Sequence, residues 1–315
     1  MSKKSMAARR QMRDAEAGGG ARQQPRGGSR GKNYRRNENR RPWGLIGGVI
    51  GVVAAFIIVV VVVESIGSLS QDTSVQPAPS SLVNALTHFP VKELDAVGKG
   101  SVDNPPVNIP SSYKPARLTA HGLPEVAFVG AEYCPYCALQ RWSLVIALSR
   151  FGTWSKLHLI RSSVYDSPAN IPSFTFAYGA KYTSSHLVFL GREYQSNVSI
   201  NHDGPPYRRF QSLPGLIATA FSNIGSAGYP FLDYGGKLAS VGSETQSGNV
   251  EAMQNLSWDQ VLHQLHNTKS TIAQEVLGGA NYDAAAICML TAQKPGSVCK
   301  SSAIRTLQAA ITSSG

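Results

Sequence analysis

The most specific chemistry in this chain belongs to two cysteines three residues apart, Cys134 and Cys137, with Pro135 and Tyr136 between them. Two thiols one helical turn apart can close a disulfide, or attack and resolve a mixed disulfide in sequence. The thiolate, not the thiol, is the nucleophile, so position decides reactivity. The apolar run Val126 to Val129 reads as a short buried strand, and Leu139, Trp142, Val145, Ile146 and Ser149 recur at helical spacing. The cysteines therefore fall where a strand hands over to a helix N-terminus. The unpaired N–H groups of a first turn and the positive end of its dipole favour a thiolate. Cys134, nearer the helix end, is the expected nucleophile, and Cys137 the resolving thiol.

The elements that must hold this pair follow from the same pattern. The cysteine helix should run to about Arg150 and end in a glycine cap at Gly152. Leu157–Arg161 reads as a second strand, parallel to the first through a helical crossover. Residues 173–178 and 186–190 are further strand candidates, 191–210 reads as irregular, and 213–224 as helical. Residues 228–242 form a hairpin around Gly235-Gly236, and Ser257-Trp258-Asp259-Gln260 opens a capped helix. Helical segments over 271–277, 282–290 and 302–311 finish the chain.

The run from Ala131 to Cys137 resembles the active-site segment of thioredoxin-like proteins, and its Pro-Tyr dipeptide is similar to that of glutaredoxins. The longer stretch through Arg141-Trp142-Ser143-Leu144 and Leu148-Ser149-Arg150-Phe151-Gly152 resembles the DUF929 family of membrane-anchored, thioredoxin-like proteins. The likeness spans about residues 80–300. It implies an α/β, thioredoxin-like fold with an insertion over roughly 165–225 and extra C-terminal helices. It also implies a cis-proline facing the cysteines. Pro230, just before the hairpin, is the better match and Pro172 the competitor. The buried acid that such proteins carry six residues before the first cysteine would fall at Phe128, so the usual proton acceptor is missing. Glu132 lies two residues before the thiol. Tyr136 either shapes the local pocket or simply packs.

Cys288 and Cys299 are separated by ten residues that include Pro295 and Gly296, and read as a structural disulfide closing a loop between the last helices. A second redox relay is the sharper alternative. The seven histidines show no ligand spacing, His263 and His266 on one helix included, and no metal or other cofactor is expected.

The formal net charge of +11 belongs to the start of the chain. Residues 1–42 hold 13 Lys/Arg against 3 acids, leaving 17 against 16 in the remainder. The tail therefore predicts a disordered cytoplasmic segment rather than a nucleic-acid surface. Trp43 to Val63 is a run of 21 residues without a charge. At 1.5 Å per residue it spans about 31 Å, enough for a transmembrane helix. The basic flank precedes it, so the N-terminus should face the cytoplasm and the chain after Glu64 the outside of the cell membrane. Gly44 with Gly48 and Gly47 with Gly51 form faces that can pair two copies as a homodimer. Residues 64–114 are then a linker and docking arm, and 115–315 the extracytoplasmic domain. Four cysteines outside the cytoplasm favour disulfides over a metal cluster.

Together these features predict a membrane-anchored thiol–disulfide oxidoreductase acting on cysteine-containing extracytoplasmic proteins, recycled by an integral membrane redox partner. A noncatalytic thioredoxin-like binding module with a structural disulfide is the alternative. In a third reading the basic tail binds cytoplasmic partners and couples them to the outer domain.

Overall fold

Alternation along one strand divides the core in two. Val126 and Phe128 face one apolar cluster, while Ala127 and Val129 face another on the opposite side. The computed structural model describes residues 70–313 except Lys114 and Gln246, all within the unit Gly67–Gly315. The basic tail expected over 1–42 and the membrane helix expected over 43–63 lie outside the described residues. Among the described residues no helix is long and apolar enough to cross a membrane.

In chain order the elements begin with strand β1 (Gln76–Pro77), helices α1 (Ser80–Thr87) and α2 (Val91–Val97), and strands β2 (Val107–Asn108), β3 (Thr119–Ala120) and β4 (Leu123–Ala131). Helix α3 (Pro135–Ser149) follows, then strands β5 (Thr153–Ser155), β6 (His158–Arg161), β7 (Pro172–Thr175), β8 (Lys181–Thr183), β9 (Val188–Ser199) and β10 (Tyr207–Arg209). Helix α4 (Gly215–Asn223) precedes the hairpin β11 (Phe231–Tyr234) and β12 (Leu238–Val241). Helices α5 (Ser247–Val250), α6 (Trp258–Leu265), α7 (Thr271–Leu290), α8 (Gly296–Cys299) and α9 (Ser302–Ser313) end the chain.

The result is a mixed α/β architecture. The main sheet runs β10-β9-β4-β11-β12-β2, with β3 also paired to β4. β4 and β9 are parallel, and β11 is antiparallel to both β4 and β12. The α3 and α7 side chains cover one face with the larger cluster, and Ile217 of α4 joins the smaller cluster on the other. Leu82 and Leu86 of α1 and Leu94 and Val97 of α2 are buried in that larger cluster too, so the arm expected over 64–114 contributes to the main core.

Four expectations need correction. The parallel neighbour of β4 is β9, not Leu157–Arg161; β6 sits between β1 and β7 in a separate antiparallel sheet. Residues 191–199, expected to be irregular, are strand. Their polar side chains hid it: Glu193, Ser196 and Asn197 are buried, not solvated. The two helices expected over 271–277 and 282–290 are one, running through Gly278 and Gly279. Those glycines admit close neighbours, since a Cβ on Gly278 would meet the Lys99 carbonyl at 2.7 Å and one on Gly279 the Ser143 hydroxyl at 2.8 Å. Gly152 likewise is no left-handed cap; a Cβ there would stand 2.3 Å from the Thr183 carbonyl.

The hairpin and the capped helix are as read. Gly235 and Gly236 take φ of +68° and +67°, which L side chains adopt rarely, and Lys237 N–H closes the turn on the Tyr234 carbonyl at 3.1 Å. Ser257 and Gln260 form both halves of a capping box at the start of α6.

Cys288 of α7 and Cys299 of α8 are disulfide-bonded, with Cα atoms 5.5 Å apart. A loop of this size removes unfolded-chain entropy worth about 3 kcal/mol. Replacing both cysteines by alanine should lower the thermal midpoint by roughly 6–12 °C in a unit this large. A calorimetric midpoint that does not move would show that other contacts hold the loop.

Candidate functional site

Helix α3 starts at the cysteines because of what precedes it. Cys134 is the N-cap residue, in extended conformation, and Pro135 occupies the first helical position where a missing N–H costs nothing. The Cys134 N–H bonds the Ala131 carbonyl at 3.2 Å, which turns the chain out of β4. The Cys134 sulfur in turn accepts the Cys137 N–H at 3.5 Å. The thiol thus takes the place of the usual capping oxygen.

Both cysteines are free thiols. Cys134 keeps 6% exposure and Cys137 none. Their surroundings push them in opposite directions. The Cys137 thiol donates to Cys134 and, with the Cys137 N–H, lowers the Cys134 pKa against the cost of burial. Burial raises Cys137 well above the ordinary range, and its hydrogen bond to Cys134 raises it further, with Arg141 opposing. The two thiols are therefore electrostatically unlike, with the thiolate form favoured at Cys134 and disfavoured at Cys137. Cys134 is, however, less open to solvent than its place at the helix end implied.

Aromatic rings crowd the approach. Tyr133 stacks on Tyr207 with ring centres 4.0 Å apart and meets Tyr229 edge-on at 6.5 Å. Burial pushes the Tyr229 hydroxyl up to about 12, with the cysteines adding to the effect. The Tyr229–Pro230 bond is cis, whereas Ile171–Pro172 is not among the cis bonds of the described residues. Pro230 leads directly into β11 beside β4. Tyr136 is half-buried against the main core.

Two buried polar clusters flank α3. In the first, Arg141 gives Nε–H to Glu193 Oε1 at 3.0 Å and Nη2–H to Glu193 Oε2 at 2.6 Å, with both side chains fully buried. A second bond from Nη2 reaches the Ala131 carbonyl at 2.8 Å. Burial opposes the guanidinium charge, but Glu193 outweighs it and the Arg141 pKa is raised. Glu132, also fully buried, accepts the Thr175 hydroxyl at 2.7 Å. Burial and then Glu193 push its carboxyl up to about 7.

In the second cluster Asp283 accepts from Gln140 at 3.2 Å and from the Tyr234 hydroxyl at 2.5 Å. Burial pushes Asp283 up to about 7, and burial with the Asp283 charge raises Glu244 well above the carboxylate range. Phe128 is buried as the sequence required, and Arg141 lies over its ring at 5.6 Å. Sequence reasoning named Glu132 but missed Arg141, Glu193 and Asp283. Arg141, the one charged residue between Ala138 and Leu148, was the available signal. His266 pairs with Glu93 at 2.8 Å, not with His263.

Residues 111–206 match the family model described as Domain of unknown function (DUF929), the family that the segment around Cys134 resembles. The match includes both cysteines, Glu132, Arg141 and Glu193. No curated protein matches the chain. No solved structure matches it either.

The opposite displacement of the two thiols predicts selective alkylation. Iodoacetamide titrated from pH 5 to 9 should label Cys134 first, with a midpoint below the 8.5 or so of an ordinary thiol. Peptide mapping should find Cys137 labelled only after denaturation. Equal labelling of both under native conditions would contradict the assignment.

Proposed function

We propose that this chain is a thioredoxin-like thiol–disulfide oxidoreductase, anchored in the cell membrane by residues 43–63 and working outside the cytoplasm on cysteine-containing proteins. The observation that carries the reading is a pair of unbonded thiols, one turn apart at the start of α3, whose ionisation is driven in opposite directions. The strand order β9-β4-β11-β12, with α3 after the first strand and α7 after the hairpin, supports the thioredoxin-like reading. So does the cis-proline ahead of β11.

In the exchange, the Cys134 thiolate attacks one sulfur of a substrate disulfide. A Cys134–substrate bond forms and the other substrate sulfur leaves as a thiolate. Cys137 then attacks Cys134, closing the Cys134–Cys137 disulfide and releasing the second substrate thiol. The reverse sequence oxidises a substrate dithiol. An integral membrane redox partner would reset the pair. The charge split between residues 1–42 and the remainder supports the orientation with the N-terminus inside.

The binding-module alternative requires a stable disulfide at these positions. Two measurements separate the readings. Cys137→Ser should trap a mixed disulfide with an unfolded disulfide-bearing protein, visible on non-reducing gels, and Cys134→Ser should trap none. The Cys134–Cys137 couple should also show a potential well above the −300 mV or so below which structural disulfides lie. A potential below that value, with no trapped species, would leave the module reading.

A further inference from the structure

Between the thiols and one edge of the main sheet lies a tract of half-buried rings. Tyr133, next to Cys134 in the chain, meets Tyr229 edge-on at 6.5 Å, and Tyr229 stands 6.5 Å from Tyr194. Phe221 widens the floor, stacked on Tyr229 at 5.6 Å and tilted against Tyr194 at 5.9 Å. All four residues keep part of their surface open.

The tract ends in positive charge. Arg208 and Arg209 are exposed on β10, the edge strand that pairs only with β9. The Arg209 guanidinium lies over the Tyr194 ring, 4.1 Å from its centre. A guanidinium seated on a ring keeps N–H groups for a planar acceptor such as a carboxylate. Neither arginine has an ion-pair partner among the described residues. Just beyond Arg209, Phe210 is exposed and meets the exposed Tyr178 with ring centres 5.3 Å apart. Accessible aromatic rings interleaved with arginine are the composition of a binding surface rather than of an ordinary solvated face.

Arg209 and the thiols act on the same ring. Burial does most to raise the Tyr229 hydroxyl; the cysteines add to it and Arg209 opposes it. The acid that bears on Cys134 is Asp166, whose charge opposes the thiolate. A negative group on a partner is therefore repelled near the sulfur and attracted at β10. Three contacts, none longer than 6.5 Å, lead from Arg209 to Tyr133. About six extended residues, at about 3.3 Å each, cover that reach.

Resting on the oxidoreductase reading, we propose that this tract selects the substrate: a polypeptide segment lies across Tyr229 and Tyr194 with a carboxylate on Arg209 while its disulfide meets Cys134. The acidic residue falls within about six positions of the substrate cysteine. Arg209 is then a specificity-determining residue that touches the substrate and none of the reacting atoms. Charge matching of this kind acts on the rate of productive encounter, and salt screens it.

The test uses the reduced full-length chain in neutral detergent and three peptides of one length. Each carries its cysteine as a mixed disulfide with 2-thiopyridine, and Glu, Ser or Lys at the third and fifth positions to either side. The Cys134 thiolate attacks the peptide sulfur, a Cys134–peptide disulfide forms, and the pyridinethiolate leaves and takes a proton from solvent as the absorbing thione. At low salt the acidic peptide should react at least about fivefold faster than the neutral one, and the basic peptide slower than either. Raising the ionic strength should narrow the spread. Arg209→Gln should bring the acidic peptide within about twofold of the neutral one, and Arg209→Glu should put the basic peptide first. Both variants should keep the neutral-peptide rate within about twofold of the wild type, because the thiols are untouched. An acidic peptide no faster than the neutral one in the wild type, or a preference that survives Arg209→Glu, would overturn the proposal. Where Arg209→Glu does not fold, survival of the preference in Arg209→Gln does the same. Rates that fall as protein concentration rises, with no preference among the peptides, would place a second copy on this face and also overturn it. A wild-type reaction with the neutral peptide no faster than that of an ordinary thiol would instead bring down the oxidoreductase reading itself.

Discussion

A buried charge organises this unit. The Arg141 guanidinium has no exposure, and burying it alone would cost several kcal/mol. The fold offsets that cost only by bringing acceptors from separate elements to one point: Glu193 from β9, the Ala131 carbonyl at the end of β4, and the Phe128 ring beneath. Each is held in turn. The Glu193 N–H donates to Gln211 Oε1 at 2.7 Å, and Glu193 Oε1 accepts the Phe176 N–H. The pair therefore fixes α3 against both parallel strands. Because Cys137 is one turn earlier on the same helix, whatever locates Arg141 also locates the Cys137 thiol.

This constraint explains the irregularity in the central pairing. β4 and β9 run in register from Glu125 with Val188 to Gly130 with Glu193, and then the register shifts so that Ala131 meets Gln195. The extra residue in β9 keeps Glu193 beside Gly130 while letting the strand continue. Glycine at 130 is the other half of the arrangement, since a side chain there would collide with the Phe128 ring and crowd the Cys137 sulfur. The packing that shields Cys137 and the ion pair that charges its surroundings are thus one construction.

How much of this could be read from the chain depends on which signal each element carries. The strand-to-helix junction at the cysteines was legible because Val126–Val129 and the helix after Cys137 have clean apolar patterns. The hairpin was legible because its two glycines perform what only glycine does easily. β9 was not legible. Apolar Val188 to Leu190 give way to Arg192, Glu193, Gln195, Ser196 and Asn197, a composition that reads as a loop until partners from distant segments satisfy it. Leu157–Arg161 has the better strand pattern, yet it pairs with β1 and β7 in a smaller sheet. Long-range polar satisfaction, not local propensity, decided between them. The same holds for α7, expected as two segments over 271–277 and 282–290, which runs unbroken through Gly278 and Gly279 where Lys99 and Ser143 pack close.

The candidate site divides along the same line. Cysteine spacing is the signal read for thiol chemistry, and the cap position marks the thiol whose pKa is lowered. The burial that separates the two ionisations is invisible in one dimension, because it depends on helices and strands far away in the chain. Asp283 shows this most clearly. It lies 143 residues from Gln140, yet its two donors, Gln140 and Tyr234, come from the cysteine helix and the hairpin strand. A carboxyl placed there titrates near neutrality because burial outweighs those two hydrogen bonds. With Glu132 raised on the other flank for a similar reason, α3 runs between two buried carboxyls; Glu132 lies in the cysteine segment itself, whereas no local motif singles out Asp283.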